Sequence, residues 1–214
     1  MKPSMDATRL KTSDLADGAA AAALYGGSFD PVHRAHLEVA RAVLRTVDVV
    51  QVVFIPAAQS PLKETGARVD DASRLAMLRL ATQEDPGFAV DDCELRRGGI
   101  SYTVDTVRAY GAAHPDRELY WIIGGDQFEL LPRWRAIEQL VALVRFIVLQ
   151  RPGYASQAPD IAGLRYLEVD APLMEHSSSV VRERIAAGQP LGDWLPGSVE
   201  AFIYQHGLYT HKPS

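Results

Sequence analysis

The sequence predicts an α/β fold: a doubly wound parallel sheet with helices on both faces. Short apolar runs alternate with longer segments of helical period. Strands that alternate with helices in this way call for a parallel sheet and crossover connections. Several of the runs are rich in β-branched residues and almost unbroken, as strands covered on both faces are. Gly26-Gly27, Pro56, Gly124-Gly125 and Pro152-Gly153 close four of them.

Each element has its own signal. Residues 1–18 are polar and without period, so a flexible tail is expected over 1–20, followed by a single domain over 21–214. A buried first strand is expected over 21–25. Leu37, Ala40, Val43 and Leu44 mark a helix over 36–46. The β-branched run 49–55 is a strand stopped by Pro56. Asp70 and Asp71 open a helix that Pro86 terminates. Strand 88–95, helix 101–112, strand 119–123, helix 133–143, strand 146–149 and strand 164–169 follow. Helices over 178–187 and 198–206 close the chain.

Composition bounds the function. The chain has 214 residues, 47% hydrophobic and 23% charged, which argues against a disordered or fibrous protein. A net charge of −5 gives no general pull towards nucleic acid or anionic lipid, so neither is an expected partner. An anionic ligand must then be held by a local cluster of donors. Cys93 is the only cysteine, which excludes an intramolecular disulfide and a cysteine-built metal site and fits a reducing cytoplasm. No apolar stretch approaches the length of a membrane span. The short run 19–24 follows Asp14 and Asp17, unlike a secretion signal.

In open parallel sheets ligands bind at the carboxyl ends of strands. The first such end reads Gly26-Gly27-Ser28-Phe29-Asp30-Pro31-Val32-His33-Arg34-Ala35-His36. Glycines let phosphates approach the backbone, and the following helix start offers free N–H groups. His33 and His36, three apart, can face one side and donate to phosphoryl oxygens. By itself the string also reads as a tight turn with incidental histidines. A two-histidine metal site lacks a third ligand nearby, so no resident metal is expected. Near the C-terminus stands His176-Ser177-Ser178-Ser179-Val180-Val181-Arg182. Serines before a helix supply caps and bare N–H groups, and Arg182 is a fork for phosphate. Alone it reads as an ordinary capped helix. Lys63, in a loop between Pro61 and Gly66, is either a solvated charge or a group that swings onto phosphates.

Together, and in this order, the two strings resemble the G-x-F-x-P-x-H-x-x-H and I-S-S-T-x-x-R elements of the nucleotidyltransferase superfamily, with His176 in place of the isoleucine. Further strings narrow the resemblance. Ser101-Tyr102-Thr103 follows Gly98-Gly99, Trp134 stands eight residues after Asp126, Arg151-Pro152-Gly153 ends a strand, and His206-Gly207-Leu208-Tyr209 lies near the end. The set is similar to the bacterial nicotinate-nucleotide adenylyltransferases and spans residues 22–210. Gly125, where that family often has Ala or Gln, and the loosely matching loop 56–63 depart from its pattern.

The resemblance implies a Rossmann-like fold and transfer of the adenylyl group of ATP to nicotinate mononucleotide, with Mg2+ entering with ATP. It implies that Gly26, Gly27, Ser28, Phe29, His33, His36, Ser177, Ser178, Ser179 and Arg182 bind ATP. His33, His36, Lys63 and Arg182 would carry the catalysis. Ser28, Thr103, Gly124, Asp126, Trp134 and Arg135 would hold the mononucleotide, with Asp126 on a ribose hydroxyl and Trp134 stacked on the pyridine ring. The helix start near Thr103 would take the ring carboxylate. Monomer and homodimer stay open. A pantetheine-phosphate adenylyltransferase is the runner-up, but it leaves the 124–134 string unexplained. A non-catalytic nucleotide-binding module would be expected to lose a turn histidine. An RNA-binding relative would need a basic patch.

Overall fold

The sheet is parallel throughout, and between residues 22 and 150 helices return the chain from each strand to the starting edge of the next. The computed structural model describes residues 7–10, 20–61, 66–150, 157–170 and 177–210. Within them the strands are β1 (Thr8–Arg9), β2 (Ala22–Gly27), β3 (Gln51–Pro56), β4 (Phe88–Val90), β5 (Leu119–Gly124), β6 (Arg145–Gln150) and β7 (Arg165–Asp170). The helices are α1 (Arg34–Thr46), α2 (Asp71–Thr82), α3 (Cys93–Arg97), α4 (Thr103–Ala113), α5 (Gly125–Glu129), α6 (Ile137–Leu143), α7 (Ser178–Ala186) and α8 (Gly197–Gln205).

The strand order is β1-β7-β6-β5-β2-β3-β4. From β2 the chain builds outward through β3 and β4, then crosses to β5 and builds the other way. The reversal between β2 and β5 opens a crevice at the carboxyl ends of those strands, the place where such sheets bind ligands. Both faces are covered. Ala23, Phe54, Ile122 and Ile147 pack with Leu37, Met77, Val181 and Val199 of α1, α2, α7 and α8. Their strand neighbours Leu24, Val53, Ile123 and Val148 pack with Val104, Val107 and Leu140 of α4 and α6. Successive side chains point to opposite faces, so the middles of the central strands are apolar on both sides.

The structure corrects the sequence reading at several places. The expected tail over 1–20 is tied down at β1: the Thr8 N–H donates to the Leu164 carbonyl (2.8 Å) and the Leu10 N–H to that of Tyr166 (2.8 Å). The strand expected over 88–95 stops at Val90, because Asp91 turns its carboxylate onto the Cys93 N–H (2.9 Å) and starts α3. The helix expected over 133–143 begins only at Ile137, since Ala136 lies in the left-handed region (φ 52°). Before it come α5 and a 3₁₀ turn, Leu131–Arg133, which the sequence reading missed.

Candidate active site

β2 runs into the crevice on two glycines that have no room for a side chain. A Cβ on Gly26 would lie 2.6 Å from the Trp121 ring, and one on Gly27 would lie 2.9 Å from the Phe29 ring. Phe29 is buried and held at φ 45°, a strained conformation for an aromatic residue. That turn delivers His33 as the extended residue before α1. The His33 backbone N–H donates to Nδ1 of His36 (3.2 Å). Neutral imidazole has one donor and one acceptor, so the His36 proton sits on Nε2. The two imidazoles lie 3.8 Å apart at 31°. Phe29 backs His36 with its ring 5.1 Å away. His36 is therefore a fixed donor, oriented by the cap it makes.

The next layer is a set of bonds that close over this turn. The Ser177 hydroxyl caps α7 by accepting from the Val180 N–H (3.3 Å). Ser178 donates to the Pro31 carbonyl (2.9 Å). Arg182 donates to the Asp30 carbonyl (2.6 Å) and to the Ser179 hydroxyl (3.1 Å). The Asp30 carboxylate, 5% exposed, accepts from the Arg68 N–H (2.7 Å) and from the Tyr209 hydroxyl (2.7 Å). Burial, and then the Asp30 charge, push the Tyr209 hydroxyl well above its ordinary range, so it stays a donor. Arg74, fully buried, donates to the carbonyls of Ser28 (2.7 Å) and Ala57 (2.8 Å), which joins the ends of β2 and β3. Ser28, Asp30, Arg68, Arg74, Ser179 and Arg182 line one cavity of about 170 Å³.

On the other side of the crevice, α4 opens beside the segment that follows β5. The Ala58 N–H donates to the Ser101 hydroxyl (3.0 Å), and the Ser101 N–H donates to the Gln59 carbonyl (2.8 Å). The loop after β3 and the start of α4 are thus joined. The Arg135 guanidinium lies 4.4 Å over the Tyr102 ring, which brings residues 134–136 against the first turn of α4. Trp134 is half-buried against the core of that face. The exposed Asp126 curls back over Gly124, whose Cβ would meet Oδ1 at 2.6 Å.

The cytidylyltransferase-like family model matches residues 24–184. A protein of Opitutus terrae named "Probable nicotinate-nucleotide adenylyltransferase" is 43% identical over 190 residues, 88% of this chain and 96% of its own. One of the same name from Geobacillus thermodenitrificans is 39% identical over 191 residues, 89% and 87% of the two chains. The chain is a cytidylyltransferase-like protein of the nicotinate-nucleotide adenylyltransferase family. The structure of Plasmodium falciparum nicotinic acid mononucleotide adenylyltransferase complexed with NaAD shares the fold, with a TM-score of 0.75 at 19% identity over 90% of this chain and 98% of that one.

Within this adenylyltransferase-family chain, the structure gathers Gly26, Gly27, Ser28, Phe29, His33, His36, Ser177, Ser178, Ser179 and Arg182 around one turn. It places Thr103, Gly124, Asp126, Trp134 and Arg135 across the crevice. Lys63, Arg151 and His176 lie outside the described residues. Among the described residues, no three His, Cys, Asp or Glu side chains converge on a metal position, and no helix is long and apolar enough to cross a membrane. The sequence reading missed Arg74, and it gave no role to Asp30 or Tyr209. For Arg74 a signal existed: it shares a helical face with the buried Met77 and Leu78, where a cation needs a partner. The Cys93 thiol is pushed up to about 11, first by burial and then by Asp91 and Glu94, so it is protonated at neutral pH.

Proposed function

We infer that the chain transfers the adenylyl group of ATP to nicotinate mononucleotide, giving nicotinate adenine dinucleotide and pyrophosphate. The observation that carries this reading is the capped double-histidine turn at the switch point, closed over by Arg182 and the start of α7, in a chain 43% identical to a protein of that name.

The chemistry asks for alignment more than for acid–base catalysis. A phosphate monoester has a second pKa near 6, so the acceptor phosphate is largely dianionic at neutral pH. It needs no general base. Its oxygen attacks the α-phosphorus of ATP, the bond from that phosphorus to the bridging oxygen breaks, and pyrophosphate leaves. Two anions must be brought together, so the task is charge neutralisation and in-line positioning. His36 offers Nε2–H, α7 offers N–H groups at its start, and Arg182 and Lys63 offer cations. The donor set around the cavity fits ATP carried with Mg2+ held by phosphate oxygens and water, because the Asp30 carboxylate is already engaged. Asp126 takes a ribose hydroxyl, Trp134 the pyridine ring, and the first turn of α4 the ring carboxylate. We assign the reaction to the cytoplasm, which fits a sequence whose single cysteine can form no intramolecular disulfide.

The test is pyrophosphate release with ATP and, in turn, nicotinate mononucleotide, nicotinamide mononucleotide, phosphopantetheine and FMN. The nicotinate acceptor is expected to be fastest. Fastest release with phosphopantetheine, or no release with any of them, overturns the reading.

A further inference from the structure

Two polar side chains away from the crevice are buried against each other. Glu94 of α3 is 3% exposed, and Thr106 of α4 is 0% exposed. The Thr106 hydroxyl donates to Glu94 Oε1 at 2.5 Å and accepts from the Arg97 guanidinium at 3.0 Å. A helical threonine ordinarily returns its hydroxyl to the carbonyl four residues back. Here that carbonyl, on Tyr102, lies 3.5 Å away and already takes the N–H groups of Asp105 (3.0 Å) and Thr106 (3.3 Å). The hydroxyl is drawn out of its own helix towards α3.

The reason lies in what fixes the direction of α4. Gly98 and Gly99, at φ 68° and 69°, link α3 to α4, and a Cβ on either would touch nothing within 4 Å. Val104, Val107 and Tyr110 bury α4 in the core of that face. The directional ties at its start are the Ser101 pair and the Glu94–Thr106 bond one turn inside. Two anchors a turn apart set both the position and the direction of the first turn. α3 is itself tied to the sheet, since the Asp91 N–H donates to the Phe54 carbonyl of β3 (3.0 Å). A directional path therefore runs from β3 through α3 to α4. Apolar packing would fill the same space without the cost of burying a carboxylate, but it is non-directional and would set no distance. The Thr103 and Val104 N–H groups have no acceptor within α4, as at any helix start, and they face wherever this path puts them.

We propose that Glu94, acting through Thr106, is a positioning residue for the pyridine carboxylate of the acceptor, and so governs the preference for acid over amide. This rests on the function inferred above. Glu94 touches no substrate; it sets where the donors stand. A carboxylate needs donors only, whereas an amide tolerates a displaced set because its own NH₂ seeks acceptors elsewhere.

The experiment compares wild type, Thr106→Val, Thr106→Ser and Glu94→Gln with nicotinate and nicotinamide mononucleotides. Thr106→Val should raise KM for the nicotinate acceptor about tenfold, as donors moved off a productive geometry do. KM for ATP should stay within about twofold, and the acid-to-amide ratio of kcat/KM should fall by the same factor of about ten. Thr106→Ser, which keeps the hydroxyl, should restore both. Glu94→Gln should lower the ratio at least about threefold, because a charge-assisted bond becomes a neutral one. That variant carries the test if Thr106→Val does not fold. A folded Thr106→Val with the wild-type ratio, or with both KM values rising together, overturns the proposal. A wild-type enzyme inert towards nicotinate mononucleotide sinks the functional reading, and this inference with it. An active wild type whose variants keep the ratio sinks this inference alone.

Discussion

Asp30→Asn isolates the bonds that close the phosphate side of the crevice. The carboxylate receives two donors at once, the Arg68 N–H and the Tyr209 hydroxyl, each at 2.7 Å. Asparagine has one acceptor oxygen. The backbone N–H of Arg68 can only donate, so that oxygen must turn to it. The amide NH₂ then faces Tyr209, whose hydroxyl must reverse and leave its own proton unpaired. One charge-assisted bond becomes neutral and the other changes sense. Bonds to charged groups are worth about 1.5–3 kcal/mol and neutral ones about 0.5–1.5, so the loss comes to about 2–3 kcal/mol. For a domain of this size 1 kcal/mol moves Tm by about 2–4 °C, which predicts a fall of about 4–12 °C. KM for ATP should rise as well, since Arg68 and Arg182 line the same cavity as Asp30 and Arg182 rests on the Asp30 carbonyl. Tyr209→Phe removes only one donor and should cost about 1–2 kcal/mol. In the double variant the amide no longer opposes a hydroxyl, so the two losses should fall short of additivity by about 1 kcal/mol. Thermal unfolding with a pyrophosphate-release assay reads all three. An Asp30→Asn protein that melts within about 1 °C of wild type and keeps its KM for ATP would refute the account.

Three further outcomes follow from the same geometry. His36→Asn keeps an acceptor for the His33 N–H but loses the Nε2 donor, so Tm should hold while kcat falls roughly 10²-fold, the scale for one preorganised charge-stabilising donor; unchanged kcat in folded protein would show that His36 only caps α1. Trp134→Ala should raise KM for the mononucleotide far more than for ATP, on the scale of about 1–3 kcal/mol that stacking is worth in nucleic-acid sites; equal effects on both substrates would mark it as packing. Asp70 caps α2 through the Ser73 N–H (2.8 Å) and hydroxyl (2.9 Å), and those bonds hold its carboxyl below the ordinary value of 3.8. A depressed carboxyl stabilises the fold above its ordinary value and loses that contribution as pH falls through the lower one. Wild type should therefore lose more Tm than Asp70→Asn between pH 5 and 2.5, and parallel curves would refute the assignment.

What the sequence discloses and what it hides divide along the length of the interactions. The Gly26-Gly27 turn, the serine cap of α7 and the acidic start of α2 were legible, because each demand is met within a few residues: no room for Cβ, an oxygen for a bare N–H, a carboxylate at a helix start. The strand predicted over 88–95 failed on a local bond that periodicity does not register, the Asp91 carboxylate on the Cys93 N–H. The bonds that align the site join distant positions. Arg74 reaches Ser28, 46 residues away, Ser178 reaches Pro31, 147 away, and Tyr209 reaches Asp30, 179 away. No window on the chain contains both ends of such a pair. The motifs name the groups proposed to meet the phosphates, and the long-range bonds set where those groups stand. An Arg74 variant would accordingly keep every recognisable motif and still lose the tie between the segments just past β2 and β3, since one guanidinium bridges the carbonyls of Ser28 and Ala57.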